Sequence, residues 1–156
     1  MAVTMADITK LRTMTGAGMM DCKNALIEAE NDIEKAVEII RKRGQAVAAK
    51  RSDREASEGC VLAAAENGFA AIIALKCETD FVAKNADFIA LTKSILDAAM
   101  AAKPATNAEV AELTLDGRKI ADLVVERSGI TGEKMELDYY ECVSGGSVTA
   151  YIHPGN

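Results

Sequence analysis

Few residues in this 156-residue chain have side chains suited to chemistry, and their spacing disfavours most reactions. The single histidine, His153, is fourth from the last residue, and no GxSxG or HExxH motif accompanies it. It reads as a surface or strand-end residue. Cys22, Cys60, Cys77 and Cys142 form no CxxC pair, so a local zinc knuckle has no support. Small buried thiols in a reducing compartment account for all four better than disulfides do. Gly16-Ala17-Gly18 is too short for a dinucleotide or phosphate loop and lacks a following Gly-Lys-Ser/Thr, which leaves a helix–helix turn. Asp21 and Glu28 are spaced for a solvated helix face rather than for acid–base work. No metal or organic cofactor is therefore expected. The segment Cys77-Glu78-Thr79-Asp80-Phe81-Val82-Ala83-Lys84 is different. It falls between a strand-like and a helix-like stretch, so it reads as a surface loop. Phe81 and Val82 in such a loop either tuck beneath it as a satellite core or await a partner. A large apolar side chain beside a carboxylate suits an interface anchor.

The elements that carry these residues are legible from hydrophobic period. Thr4-x-x-Asp7 predicts a capping box before Ile8, Leu11 and Met14. A second helix places Met19, Cys22, Ala25, Leu26 and Ala29 on one stripe, with Met20 and Ile27 about 90° away. A third is expected to be capped by Asn31, with Glu34 completing the box, and to stop at Gly44 after Arg41-Lys42-Arg43. Residues 45–56 read as a linker. The period then changes to 2 over Val61–Ala65 and Phe69–Leu75, and Asn67-Gly68 between them predicts a hairpin. Asn85 is expected to cap a helix burying Phe88, Leu91, Ile95 and Ala99. A short helix near Asn107–Glu112 and a longer one near Asp116–Ser128, with Gly129 as its cap, follow. Met135–Val143 and Val148–Ile152 are expected to close as a hairpin around Ser144-Gly145-Gly146-Ser147.

Composition narrows the class. Hydrophobic residues make up 49% and charged residues 27%, as in ordinary globular proteins, while aromatics are only 4% with no Trp. The core must be aliphatic. At this length a chain buries about two thirds of its unfolded surface. The net charge of −6 is uneven. Residues 1–54 hold ten Lys/Arg against eight Asp/Glu, a balance of +2, and residues 55–156 hold eight against sixteen, a balance of −8. An acidic chain is a poor partner for phosphate backbones, so no direct nucleic-acid binding is expected. The basic run from Arg41 to Arg54 reads as a helix C-terminus and solvated linker. The start lacks the charged and apolar regions of a signal peptide, and no run reaches a membrane span. No membrane partner and a cytoplasmic location are expected.

Two runs carry a family resemblance. Leu11-Arg12-Thr13-Met14-Thr15-Gly16-Ala17-Gly18-Met19-Met20-Asp21-Cys22-Lys23-Asn24-Ala25-Leu26 and Thr79-Asp80-Phe81-Val82-Ala83-Lys84 resemble the two signatures of the elongation factor Ts family. Ala48-Ala49-Lys50, Gly132-Glu133 and Tyr151-x-His153 also fall where that family has them, so the resemblance spans essentially the whole chain. It implies an α+β fold in two units: a three-helix, ubiquitin-associated-like domain over residues 1–54, and a first core subdomain over 55–156, a small antiparallel sheet packed on helices. It also implies a guanine-nucleotide exchange factor, not an enzyme, acting on the GTPase elongation factor Tu. Thr79, Asp80, Phe81 and Val82 would be the loop that intrudes near the partner's Mg²⁺ and phosphate site. Met19 and Met20 would belong to a second gripping surface, although Met19 on the apolar stripe suits the core equally well. Ala74 and Lys76 depart from the Glu and Asn usual there, and Asp138 and Tyr139 stand where basic residues are common. Family members usually continue beyond Tyr-x-His, so this chain is expected to be a fragment; its oligomeric state is open. Two other classes stay in view: a helical adaptor for a peptide or ubiquitin-like partner, which leaves residues 79–84 without a role, and a thiol enzyme using Cys22 or Cys77.

Overall fold

The first helix begins at the predicted box. In the computed structural model, which describes residues 2–153, α1 spans Met5–Thr15. The Asp7 N–H donates to the Thr4 hydroxyl at 3.2 Å, and the Thr4 N–H donates to the Asp7 carboxylate at 3.0 Å. Two donors that a helix start leaves unpaired are thereby satisfied. The Thr4 hydroxyl, which donates to the Asp7 carboxylate at 2.7 Å, and after it the Thr4 N–H hold the Asp7 carboxyl below its ordinary range. Gly16, at φ +72°, ends the helix in the left-handed region.

Helix α2, Met19–Glu28, buries Cys22, Ala25 and Leu26. They pack with Ile8 and Leu11 of α1 and with Ala36 and Ile40 of α3, which spans Ile33–Lys50. Two expectations for α3 are corrected. Asp32, not Asn31, is the cap, its carboxylate accepting from the Lys35 N–H at 3.1 Å. Asn31 instead adopts φ +65° beside Glu30 at +54°, turning the chain between α2 and α3, a conformation Asn tolerates. Nor does Gly44 stop the helix, which runs on through half of the expected linker. Gly44 lies against a second glycine: a Cβ on Gly129 would sit 2.4 Å from the Gly44 Cα, and one on Gly44 would sit 3.1 Å from the Val125 carbonyl. Close backbone approach, rather than termination, is what requires glycine here.

The chain divides into two compact units: residues up to Asp53 with Val125–Glu133, and Arg54–Val124 with the residues from Lys134 onward. In the second unit β1, Glu58–Glu66, and β2, Phe69–Cys77, pair antiparallel around the predicted turn. Asn67 at φ +50° and Gly68 at +76° supply the two left-handed residues that such a hairpin needs. Next come α4, Asp80–Ala83, α5, Ala86–Ala102, and α6, Asn107–Glu112. The short strands β3, Thr114–Leu115, and β4, Arg118–Lys119, precede α7, Ile120–Thr131. Strand β5, Glu136–Ser144, joins β2 to give the sheet order β1-β2-β5. Phe69, Ala71, Ile73, Leu75 and Cys77 alternate along β2 onto one face, where Phe88, Ile95 and Ala99 of α5 cover them.

Further expectations fail in this unit for identifiable reasons. Asp116, at φ +52°, and Gly117, at +79°, form a turn between β3 and β4, so the following helix begins at Ile120 rather than Asp116. It continues through Gly129 and closes beyond it, where the Gly132 N–H donates to the Ser128 carbonyl at 2.8 Å. The closing hairpin does not form. Residues 148–152 are not a strand; the Gly145 N–H bonds the Gly68 carbonyl at 2.8 Å, beside the β1–β2 turn.

Candidate functional site

The segment 77–84 is a short helical turn rather than an irregular loop. Thr79 caps it, its hydroxyl accepting from the Val82 N–H at 3.4 Å, and the Lys84 N–H donates to the Asp80 carbonyl at 3.0 Å. Its root is held from three directions. The Cys77 thiol, fully buried at the end of β2, donates to the Thr79 carbonyl at 3.3 Å. The Lys134 N–H donates to the Glu78 carboxylate at 2.7 Å. Val82 and Ala83 pack partly buried against the sheet core.

This framework divides the two apolar side chains. Val82 is the satellite-core residue, whereas Phe81 is 84% exposed, the most exposed large hydrophobic among the described residues. Phe81 thus stands on an anchored turn with almost no contact of its own. Asp80 is exposed beside it and pairs with Lys84 at 3.5 Å, an i, i+4 surface pair of little energetic weight. Sequence reading missed Glu78 and Lys134, which fix the turn. They lie 56 residues apart, and nothing in their spacing marks them as partners.

Met19 and Met20, which open α2 in the other unit, are 46% and 62% exposed. Neither belongs to the buried core of that unit, so Met19 leaves the apolar stripe on which its spacing placed it. The first turn of α2 extends beyond the cover of α1 and α3, and the stripe is buried only from Cys22 onward. His153 is exposed, its Nδ1 lying 3.1 Å from the Tyr151 hydroxyl. Cys22 and Cys77 are fully buried, and none of the four cysteines is in a disulfide. Burial raises the pKa of Cys22 and of Cys60, opposite to what a nucleophilic thiolate requires. Among the described residues no group of three or more His, Cys, Asp or Glu is placed to hold a metal ion, and no helix is long and apolar enough to cross a membrane.

The departures noted in the sequence fall into two cross-strand sets. Ala74 on β2 faces Tyr139 on β5, and the Lys76 ammonium pairs with the Asp138 carboxylate at 3.1 Å across the bulge that follows. The sheet thus carries one cross-strand ion pair and one cross-strand Ala–Tyr pair at these positions.

Comparison with known proteins accords with this geometry. The family described as Elongation factor TS matches residues 78–156, just over half of the chain, beginning at the root of the Phe81 turn. The chain belongs to that family. It is 69% identical to elongation factor Ts of Porphyromonas gingivalis over all of this chain and 57% of the relative. It is equally identical to that of Phocaeicola vulgatus, of which it covers 47%. Against the protein of that name from Azobacteroides pseudotrichonymphae the identity is 56%, covering 57% of the relative. The chain spans about half the length of the relatives it matches. Elongation factor TS membership thus rests on residues outside the Met19–Met20 surface as well as on whole-chain identity.

Proposed function

We propose that this chain serves translation elongation in the cytoplasm as a guanine-nucleotide exchange factor, binding elongation factor Tu in its GDP-bound and nucleotide-free forms and hastening GDP release. The observation that carries the reading is Phe81: a large aromatic side chain, exposed on a turn whose neighbours are capped and buried. Burying such a side chain in a partner is worth about 1.5–3 kcal/mol, and its rigid base lets that energy displace the partner's groups instead of ordering the factor. Mg²⁺ on a bound nucleotide demands near-octahedral oxygen ligands, so a small shift of those ligands loosens the nucleotide without any contact to it. Thr79, Asp80, Phe81 and Val82 form the intruding turn, Thr79 and Val82 holding it and Asp80 and Phe81 reaching the partner. Met19 and Met20 supply grip from the three-helix unit. No covalent step, metal or organic cofactor of the chain itself enters, and neither nucleic acid nor membrane is a direct partner.

The adaptor reading gives the Phe81 turn nothing to do. The thiol-enzyme reading needs an accessible low-pKa cysteine, and Cys22 and Cys77 are buried. The deciding experiment is release of labelled GDP from elongation factor Tu with saturating factor. The parent chain should accelerate release and Phe81→Ala should abolish the acceleration; release as fast with the variant as with the parent would make the turn a structural corner.

A further inference from the structure

Every described methionine of the first unit is exposed: Met5, Met14, Met19 and Met20. Those of the second unit are not: Met135 is buried and Met100 packs half-buried against the sheet core. Met14 lies one residue from the end of α1 and Met19 and Met20 open α2, with only a short glycine-containing turn between them. An exposed thioether is flexible and apolar, which suits a surface that must mould to a partner, but it is also open to oxidation.

We propose that the Met19–Met20 pair is an oxidation site through which hydrogen peroxide weakens the grip of the three-helix unit on its partner. The inference rests on the proposed role of these residues in binding elongation factor Tu. A sulfur lone pair attacks one peroxide oxygen, the O–O bond breaks, the S–O bond of a sulfoxide forms, and water leaves. Sulfur loses two electrons and peroxide gains them, so no other reactant is needed. The product carries a strong acceptor where an apolar surface had been, and burying it without a donor is unfavourable. Because both side chains are largely outside the core, oxidation leaves the three-helix packing intact and acts on binding alone.

The test treats the chain with peroxide, quenches with catalase, maps sulfoxides by peptide mass spectrometry, and measures affinity for untreated nucleotide-free elongation factor Tu. Met19 and Met20 should oxidise well before Met100 and Met135. The treated chain should bind at least about tenfold more weakly, a loss of 1.4 kcal/mol, with an unchanged circular dichroism spectrum, and methionine sulfoxide reductases should restore it. Each variant is compared with its own untreated sample. The treated-to-untreated ratio should persist in Met5→Leu/Met14→Leu and vanish in Met19→Leu/Met20→Leu. Oxidation of Met19 and Met20 without loss of affinity, or oxidation no faster than at Met135, would overturn the proposal. Met20→Ala separates the levels: if it weakens binding while oxidation does not, only the modification site is refuted, and if it binds like the parent, the underlying grip assignment is refuted.

Discussion

Phe81 and Asp80 are neighbours on one turn, and the proposed function gives them different physics. Exchange requires that factor and GDP disfavour each other on the GTPase, and by linkage each weakens the other by the same ratio. A residue that only adds grip tightens the complex without creating that antagonism. In the proposed function Phe81 both buries area and wedges the partner, so Phe81→Ala should lose binding and exchange together. Asp80 buries little, so Asp80→Ala should lose exchange more than affinity. Met20→Ala should lower affinity by about tenfold, or 1.4 kcal/mol, and leave the GDP antagonism largely intact. GDP release at saturating factor, measured beside affinity for nucleotide-free elongation factor Tu, separates the three; equal losses of both quantities in Asp80→Ala and Met20→Ala would remove the distinction. The thiols give a second residue-scale test. Burial pushes the Cys22 thiol up, and Cys22 and Cys77 have no exposed surface, so neither should react with a thiol reagent at neutral pH until the chain unfolds. Rapid native-state labelling of Cys22 would contradict the packing of α1 on α2.

At the scale of elements, the close pair Gly44 and Gly129 is the sharpest constraint. Gly129→Val would drive a branched side chain into the α3 backbone, and overpacking of this kind costs typically about 1–3 kcal/mol, more where neither backbone yields. Gly44→Ala, although it improves helix propensity, should also destabilise, since the Val125 carbonyl lies within 3.1 Å of the new Cβ. Urea denaturation measures both, and a stabilised Gly44→Ala would show that the helices separate freely. The Thr4–Asp7 box predicts a pH dependence. Asp7's folded pKa is depressed, so its contribution is present above its unfolded value, about 3.9, and is lost as pH falls through the lower folded value. Asp7→Asn should therefore flatten the fall in stability below about pH 4. An identical acid limb in parent and variant would deny the box any energetic part.

For the molecule as a whole, trypsin should report the division into units. Helix α3 shelters Lys42 and Arg43, so the first cut is expected at Arg51 or Arg54, just past its end. Because Val125–Glu133 belongs with the first unit, the nicked fragments should stay together on gel filtration under native conditions. Early cleavage inside residues 7–43 would refute the separate three-helix unit, and immediate separation of the fragments would deny α7 its share in it. The features legible from residue order alone are local in origin. The Thr4–Asp7 box, the Asn67-Gly68 hairpin, the apolar stripes at Cys22–Leu26 and Phe88–Ala99, and the two signature runs all depend on residues a few positions apart, whose backbone chemistry is readable in order. The remaining features depend on residues far apart in the chain. Gly44 reads as a stop until Gly129 is brought against it; 148–152 reads as the second arm of a hairpin until Gly68 is seen to hold Gly145. Val82 and Phe81 are equivalent on paper until the sheet covers one and leaves the other in water. Ala74, Lys76, Asp138 and Tyr139 look like four separate departures until the register sets Ala74 opposite Tyr139 and an ion pair joins Lys76 to Asp138. Burial is a property of what packs on a residue, and the packing partners of a β-sheet and of crossing helices are set by long-range contacts that spacing alone does not encode.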